Sequence, residues 1–408
     1  MNSQNVHRRQ LPRPEFIAMM ATLMGLNALA IDIMLPALPD IGAGFGNDNA
    51  NDRQLVISFY LIGAGFGQLL FGPLIDRFGR RNPLMFCFGV YVITALAATI
   101  VSSFPALVLL RLLQGLGTAG FRVAALAIVR DLHHGRAMAE ILSLVFMIFM
   151  IAPIIAPGIG QLILFVAPWQ GIFLFVAIAG SISWAWTYIR LPETLDPENR
   201  RPLTMKSIFG GFKIVLTNRV SMIYSIAGMF IFGSLVGMLN SSQQIFVEIY
   251  DLGSLFPIAF AGVAVLMAIA SFLNSRMVKQ YGMRRLAHFA LIVFTICAII
   301  LLALSIIMEV SLPLFYGLLG LLFFMFSWTA PNMNSLSMNP LGKVAGTAAS
   351  TFGFFQTLGG ALFGLWIGRL YDGTIIPLAA GFAIAGSVSL ILVLIAENGK
   401  LFGVGEEN

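Results

Sequence analysis

Apolar runs of about twenty residues or more recur twelve times along the chain, parted by short polar breaks. They fall near 16–39, 54–75, 83–102, 105–129, 140–165 and 168–189, and again near 220–246, 254–275, 285–308, 312–336, 345–368 and 374–396. A hydrocarbon core of ~30 Å takes ~20 helical residues to cross, so each run suffices for one membrane-spanning helix. The runs are continuously apolar, whereas the strands of a membrane barrel would alternate over about ten residues. The pattern predicts an all-α polytopic membrane protein of twelve transmembrane helices. One long polar interval, 190–219, parts them into two six-helix halves, 1–190 and 220–408, with 191–219 as a cytoplasmic linker. Within it, 204–216 has the pattern of a short amphipathic helix on the inner membrane face, with Lys206 and Lys213 toward phosphates.

Composition changes the picture only by excluding water as the main solvent. Of 408 residues, 58% are hydrophobic and 10% charged, where a soluble protein carries about a quarter charged residues. Twenty of the 24 basic residues fall in tails and loops on one side if the N-terminus is cytoplasmic. By the positive-inside rule both termini are then cytoplasmic. The net charge of +6 is a topology signal and gives no indication of nucleic-acid binding. The basic start leads into a run too long for a signal-peptide core and followed by further spans. Cys87 and Cys297 both fall inside spans, with no metal or disulfide pattern, and no cofactor is expected.

Charges inside spans are costly and are functional candidates by default. Asp32 lies in the first span, seven residues before Pro39; Arg111 lies in the fourth, six residues after Pro105, at a similar depth in the outer half. Arg122 follows Arg111 by eleven residues, which puts both on one helical face about 16 Å apart. Gln114, Gly115 and Thr118 extend that stripe, which reads as a cavity lining. A carboxyl at Asp32 would suit a proton-carrying site, where a proton and a cationic substrate compete for one carboxylate. A static Asp32–Arg111 pair locking two spans is the alternative. For Arg122 the alternative is snorkelling to the inner surface. Asn240, Gln243, Asn332 and Gln356 complete the candidate substrate cavity, although each also suits an interhelical hydrogen bond. His133, His134 and His288 read as inner-surface residues.

Two further stretches have unusual spacing. After the second span comes Gly72-Pro73-Leu74-Ile75-Asp76-Arg77-Phe78-Gly79-Arg80-Arg81, a tight charged hairpin of a kind that suits a gate. A fainter counterpart, Ser275 to Arg285, follows the eighth span; its Gly282 and Arg285 match, but Lys279 stands where Asp76 would be. Two halves of this kind are expected of a transporter built from parallel repeats. The fifth span carries Ala152-Pro153 and Ala156-Pro157, then Gly158, Gly160 and Gln161, which predicts a bent and tightly packed helix.

The chain resembles the major facilitator superfamily in three motifs at matching places. The 72–81 hairpin is similar to its signature loop, 111–117 to its R-x-x-Q-G-x-G motif, and 152–161 to its antiporter motif G-x-x-x-G-P-x-x-G-G. In the last, Ala152 and Ala156 replace the first two glycines and Gln161 the last. Residues 30–39, 191–195 and 345–350 resemble the twelve-span drug–proton antiporters of the bicyclomycin and chloramphenicol resistance type. The resemblance implies alternating access by rocking halves, with Asp32 and Arg111 linked to protons. Gly72, Asp76, Arg77, Gly79, Arg80 and Arg81 would form an inner brace between spans 2 and 11. Pro153, Ala156, Pro157 and Gly160 would serve antiport. It further implies a monomeric bacterial inner-membrane exporter, driven by protons, of small organic compounds such as antibiotics or toxic metabolites. The alternative is an exporter of one cellular metabolite, such as a nucleoside, amino acid or sugar. A second acid earlier in the first span, present in some multidrug relatives, is absent, with Met24 and Asn27 in that region. No nucleophile–histidine set or paired acids point to an enzyme.

Overall fold

The computed structural model describes residues 11–46, 49–133, 135–196, 198, 200 and 213–403. The chain ends, most of the expected surface helix at 204–216, and His134 lie outside them. Every regular element among the described residues is helical, as expected where backbone groups find no water and must be satisfied within the segment. Among the described residues, eleven helices are long and apolar enough to cross a membrane. In the first half they are α1 (Arg13–Gly44), α2 (Asn51–Phe78), α3 (Arg81–Ile100), α4 (Phe104–Leu132), α5 (Glu140–Val166) and α6 (Gln170–Arg190). In the second they are α7 (Arg219–Ile249), α8 (Gly253–Tyr281), α9 (Met283–Ile307), α10 (Leu312–Leu341) and, last in order, α12 (Ile376–Ala396). The remaining helical run, α11 (345–369), matches the expected eleventh span; it is rich in Gly, Ser and Thr and has a π turn at Phe355–Gly359.

Prolines set the breaks. Pro36 and Pro39 lie where α1 passes from Arg13–Asp32 through a 3₁₀ turn into Leu38–Gly44. In α5, Pro153 cannot donate to Phe149, and the helical run, which begins ahead of the span, divides there into Gly135–Phe149 and Ile151–Val166. Large apolar side chains stay exposed along one stripe of α3 (Phe86, Ile93, Ile100) and of α9 (Ile296, Ile300, Ile307). Lipid tails are as apolar as these side chains, so the surface costs nothing there that it would cost in water.

Within the first half, α2 and α4 touch backbone to backbone. A Cβ at Gly115 would collide with the Tyr60 carbonyl, and one at Gly63 with the Leu112 carbonyl. The halves meet along α2 and α11 and between the outer part of α5 and α8. At the inner end the two short hairpins share a backbone form: Gly79 has φ +90° and Gly282 φ +81°, which L-residues with a Cβ rarely adopt. Each hairpin is tied to a glutamate just past the sixth helix of its half. Glu193 accepts from the Arg80 and Arg81 backbone N–H groups at 2.8 and 3.1 Å, and Glu397 pairs with Arg284 at 3.2 Å. This shared fastening supports the faint sequence repeat better than its mismatched acid does.

Candidate functional site

A cavity of about 360 Å³ lies between the halves. Met24 and Phe149 from the first half and Phe232, Met238, Phe260 and Phe323 from the second supply much of its apolar wall. Its polar lining is Asn27, Asp32, Gln68, Thr118, Arg122 and Thr357.

Asp32, at the end of the straight part of α1, lines this cavity while only 5% exposed. Its carboxylate makes no hydrogen bond or ion pair among the described residues. Arg111 is fully enclosed behind it. Its Nε donates to the Val56 carbonyl at 3.0 Å, Nη1 to Gln114 Oε1 at 2.7 Å, and Nη2 to the Ala30 carbonyl at 2.9 Å. The guanidinium also sits 4.4 Å from the Tyr60 ring centroid. The static Asp32–Arg111 pair is therefore not formed, because backbone carbonyls and Gln114 already hold the arginine. What Arg111 does is tie α4 to α1 two residues before the acid. Arg122 lines the cavity and is exposed to it, with no hydrogen bond or ion pair among the described residues.

The other expected cavity residues lie elsewhere. Gln114 is buried against Arg111. Asn240 donates to Ser58 Oγ at 3.0 Å, joining α7 to α2. Asn332 donates to Asn274 Oδ1 and the Trp328 carbonyl, both at 2.8 Å. Gln243 is buried, and Gln356 faces a smaller recess with Tyr224 and Asn334. For Asn240 and Asn332 the physical reason is shared: in an apolar bundle a neighbouring helix offers a closer partner than a cavity does. His288 also departs from expectation. It is buried, with Nε2 3.0 Å from Tyr224 Oη and Nδ1 accepting from the Phe402 backbone N–H at 3.0 Å.

The signature hairpin is organised by Arg80, which is only 4% exposed. Its Nε reaches Asp131 at 2.8 Å and its Nη1 reaches Asp76 at 2.7 Å and the Ile75 carbonyl at 2.9 Å. Burial opposes the Arg80 charge, and the Asp131 and Asp76 carboxylates outweigh it, so the guanidinium is held above its ordinary pKa. Arg81 donates to the Tyr188 carbonyl at 2.7 Å, while Arg77 is exposed. Asp76 thus pairs inside its own hairpin. Gly72 is where the hairpin helix nears α11, since a Cβ there would stand 2.6 Å from Ser350 Oγ. On α5, Pro153 lines the cavity, while Ala156, Pro157 and Gly160 are buried and Gly160 faces the Ile33 carbonyl of α1.

Sequence reasoning missed the outer ends of α2, α7 and α11. There Arg53 pairs with Glu248, and Arg369 with Asp52 at 2.5 Å. Asn51 Nδ2 donates to the Tyr371 carbonyl at 2.9 Å, and Gln54 Nε2 to Gln244 Oε1 at 2.7 Å. Deeper in, Gln68 Nε2 donates to Thr357 Oγ1 at 2.7 Å. Polar links thus close the outer end. The inner segment of α5 packs on α1, and its outer segment packs on both α1 and α8. The signal available in sequence was the dense run Asn51-Asp52-Arg53-Gln54 at the start of a span.

Comparison with known proteins agrees with this architecture. The chain is 28% identical over 393 residues to a bicyclomycin resistance protein homolog of Haemophilus influenzae, covering 95% of this chain and 98% of that one. It is 29% identical over 408 residues to the multidrug resistance protein MdtL of Escherichia coli, covering 96% and 98%. Among solved structures it superimposes on the human organic anion transporter MFSD10 with a TM-score of 0.71 at 18% identity, over 95% of this chain and all of that one. The xylose transporter XylE of E. coli, in a partially occluded inward-open form, also gives 0.71, at 15% identity over 94% and 97%. At those identities the structures speak for the fold alone. Residues 20–364, from α1 into α11, match the model of the Major Facilitator Superfamily, and the chain belongs to that family.

Proposed function

We propose that this protein exports small organic compounds across the bacterial inner membrane in exchange for protons, by alternating access and as a monomer with both termini cytoplasmic. Asp32 carries the reading: it is a carboxyl on the wall of a cavity shared by the two halves, with no hydrogen bond or ion pair among the described residues. A carboxylate without a fixed partner can take up a proton from one side and release it to the other without breaking a structural bond. Arg111 holds α1 in place beside it. The names of the relatives, bicyclomycin resistance and multidrug resistance, support export of foreign compounds.

In this reading the 72–81 hairpin with Asp76 is the inner gate, and the halves 1–190 and 220–408 rock about the α2–α11 and α5–α8 seams, joined by 191–219. Gly160 and Ala156 let α5 slide against the bend of α1. Asp32→Asn tests the coupling. Purified and reconstituted, the variant should insert and bind compounds but lose pH-gradient-driven transport; transport at the wild-type rate would refute the role of Asp32.

A further inference from the structure

Six polar side chains reach the central cavity, and four of them are already engaged within the protein. Asn27 Oδ1 accepts from Tyr60 at 2.9 Å, Gln68 donates to Thr357 at 2.7 Å, and Thr118 donates to the Gly115 carbonyl at 2.8 Å. Two charges of opposite sign remain, Asp32 and Arg122. They stand at different depths. Asp32 lies near Tyr60, over which Arg111 stacks, and Arg122 is eleven residues inward of Arg111 on α4, about 16 Å along the axis.

Arg122 does not snorkel away from this space. It is exposed toward the cavity and shares its wall with Phe149, Met150 and Phe326. While the cavity is wet the guanidinium is hydrated. When the halves close around a cargo that water leaves, and an unpaired cation in an apolar wall becomes strongly unfavourable. A cargo with its own cationic group would add like-charge repulsion. A cargo with an anionic group would supply the missing partner, in the bidentate geometry that a guanidinium offers a carboxylate. The aromatic and Met walls from both halves would take an apolar body.

We propose that the cargo is a small amphipathic organic anion whose acidic group is held by Arg122 and whose apolar body lies among the Phe and Met side chains. This rests on the export reading above and names its substrate class. It also sets the charge balance. One proton entering for one monoanion leaving moves two positive charges inward, so an inside-negative potential would drive the cycle as well as a pH gradient.

The test uses three matched probes, 4-phenylbutyrate, 4-phenylbutanamide and 4-phenylbutylamine, with purified wild type, Arg122→Gln and Arg122→Lys. In calorimetry the wild type should bind the carboxylate at least tenfold more tightly than the amide, and the amine most weakly. Arg122→Gln should lose at least tenfold in carboxylate affinity, and Arg122→Lys should recover part of it. Equal wild-type affinity for carboxylate and amide would overturn the proposal, as would a glutamine variant that keeps the carboxylate affinity. Should the glutamine variant fail to fold, the wild-type comparison and the lysine variant still decide. Proteoliposomes separate the two readings. Arg122-dependent carboxylate binding with no pH-driven transport of any probe would leave anion recognition standing and remove proton exchange. Proton-driven transport of the amine, with Arg122→Gln unimpaired, would leave export standing and remove the anion.

Discussion

Arg111 shows how a buried charge can be structural and still serve a moving site. Three of its N–H groups meet the Val56 carbonyl, the Ala30 carbonyl and Gln114, and its face lies on Tyr60. Removing it leaves Gln114 buried without its partner and unties α4 from α1. Arg111→Ala should therefore lower stability by about 1–3 kcal/mol, read as a fall in the unfolding midpoint of detergent-purified protein. Arg111→Lys should lose nearly as much, because an ammonium cannot reach three acceptors in the planar arrangement of a guanidinium. A lysine variant as stable as wild type would contradict this account. Sequence made Arg111, Asp32 and Arg122 conspicuous, since charges in apolar runs stand out. It did not reveal which of them were paired. Carbonyl acceptors exist at every residue, and only the approach of α1 and α2 puts two of them within reach of one arginine. His288 teaches the same lesson, having been read as a surface residue from its place near a loop when Tyr224 and Phe402 enclose it.

At the scale of elements, the inner hairpin owes its form to a residue more than a hundred positions away. Glu193 accepts the Arg80, Arg81, Thr194 and Leu195 backbone N–H groups at 2.8 to 3.1 Å. It so caps α3, where the helix end favours an anion, and fastens the linker to it. Glu193→Ala should cost about 0.5–2 kcal/mol, the usual range for a lost cap. It should also raise hydrogen exchange at the start of α3 while sparing the α2–α4 contact; unchanged exchange there would dismiss the capping role. The α2–α4 contact has its own test. A Cβ at Gly115 runs into the Tyr60 carbonyl, so Gly115→Ala must push two helices apart, at a cost of about 1–3 kcal/mol or more. Lower yield of folded protein in membranes is the expected outcome. The helices and the hairpin were legible in the residues, while the identity of the cap was not, because 191–195 gains meaning only once α6 brings it back to α3.

For the molecule as a whole, polar links join the two halves at the outer end. Arg53–Glu248, with Arg53 largely buried, and Asp52–Arg369, partly exposed, join the halves there, and pairs that keep a partner in contact with solvent contribute about 0.2–1 kcal/mol each. Losing both in Asp52→Ala/Arg53→Ala should shift the balance toward an outward-open form by roughly 2- to 30-fold. Spin labels on the outer ends of α2 and α8 should then show a longer-distance population; an unaltered distance distribution would argue against a gate. In the proposed cycle the inner hairpin bears on the other half. Asp76 here pairs with Arg80 within its own hairpin, which leaves the α11 contact to Gly72 and Ser350 in this conformation.

Twelve apolar runs, a bias of positive charge, three motifs and a polar midpoint were enough to determine a two-half helical membrane protein and its family, because the bilayer leaves so few alternatives for an apolar chain. Tertiary structure alone decided that Asp32 and Arg122 share one cavity wall with no hydrogen bond or ion pair among the described residues, that Arg111 does not pair with the acid, and that the outer end is clasped. Those facts depend on which helix faces meet: the stripe from Arg111 to Arg122 was visible in sequence, but which of its members would find a partner was set by the approach of α1 and α2.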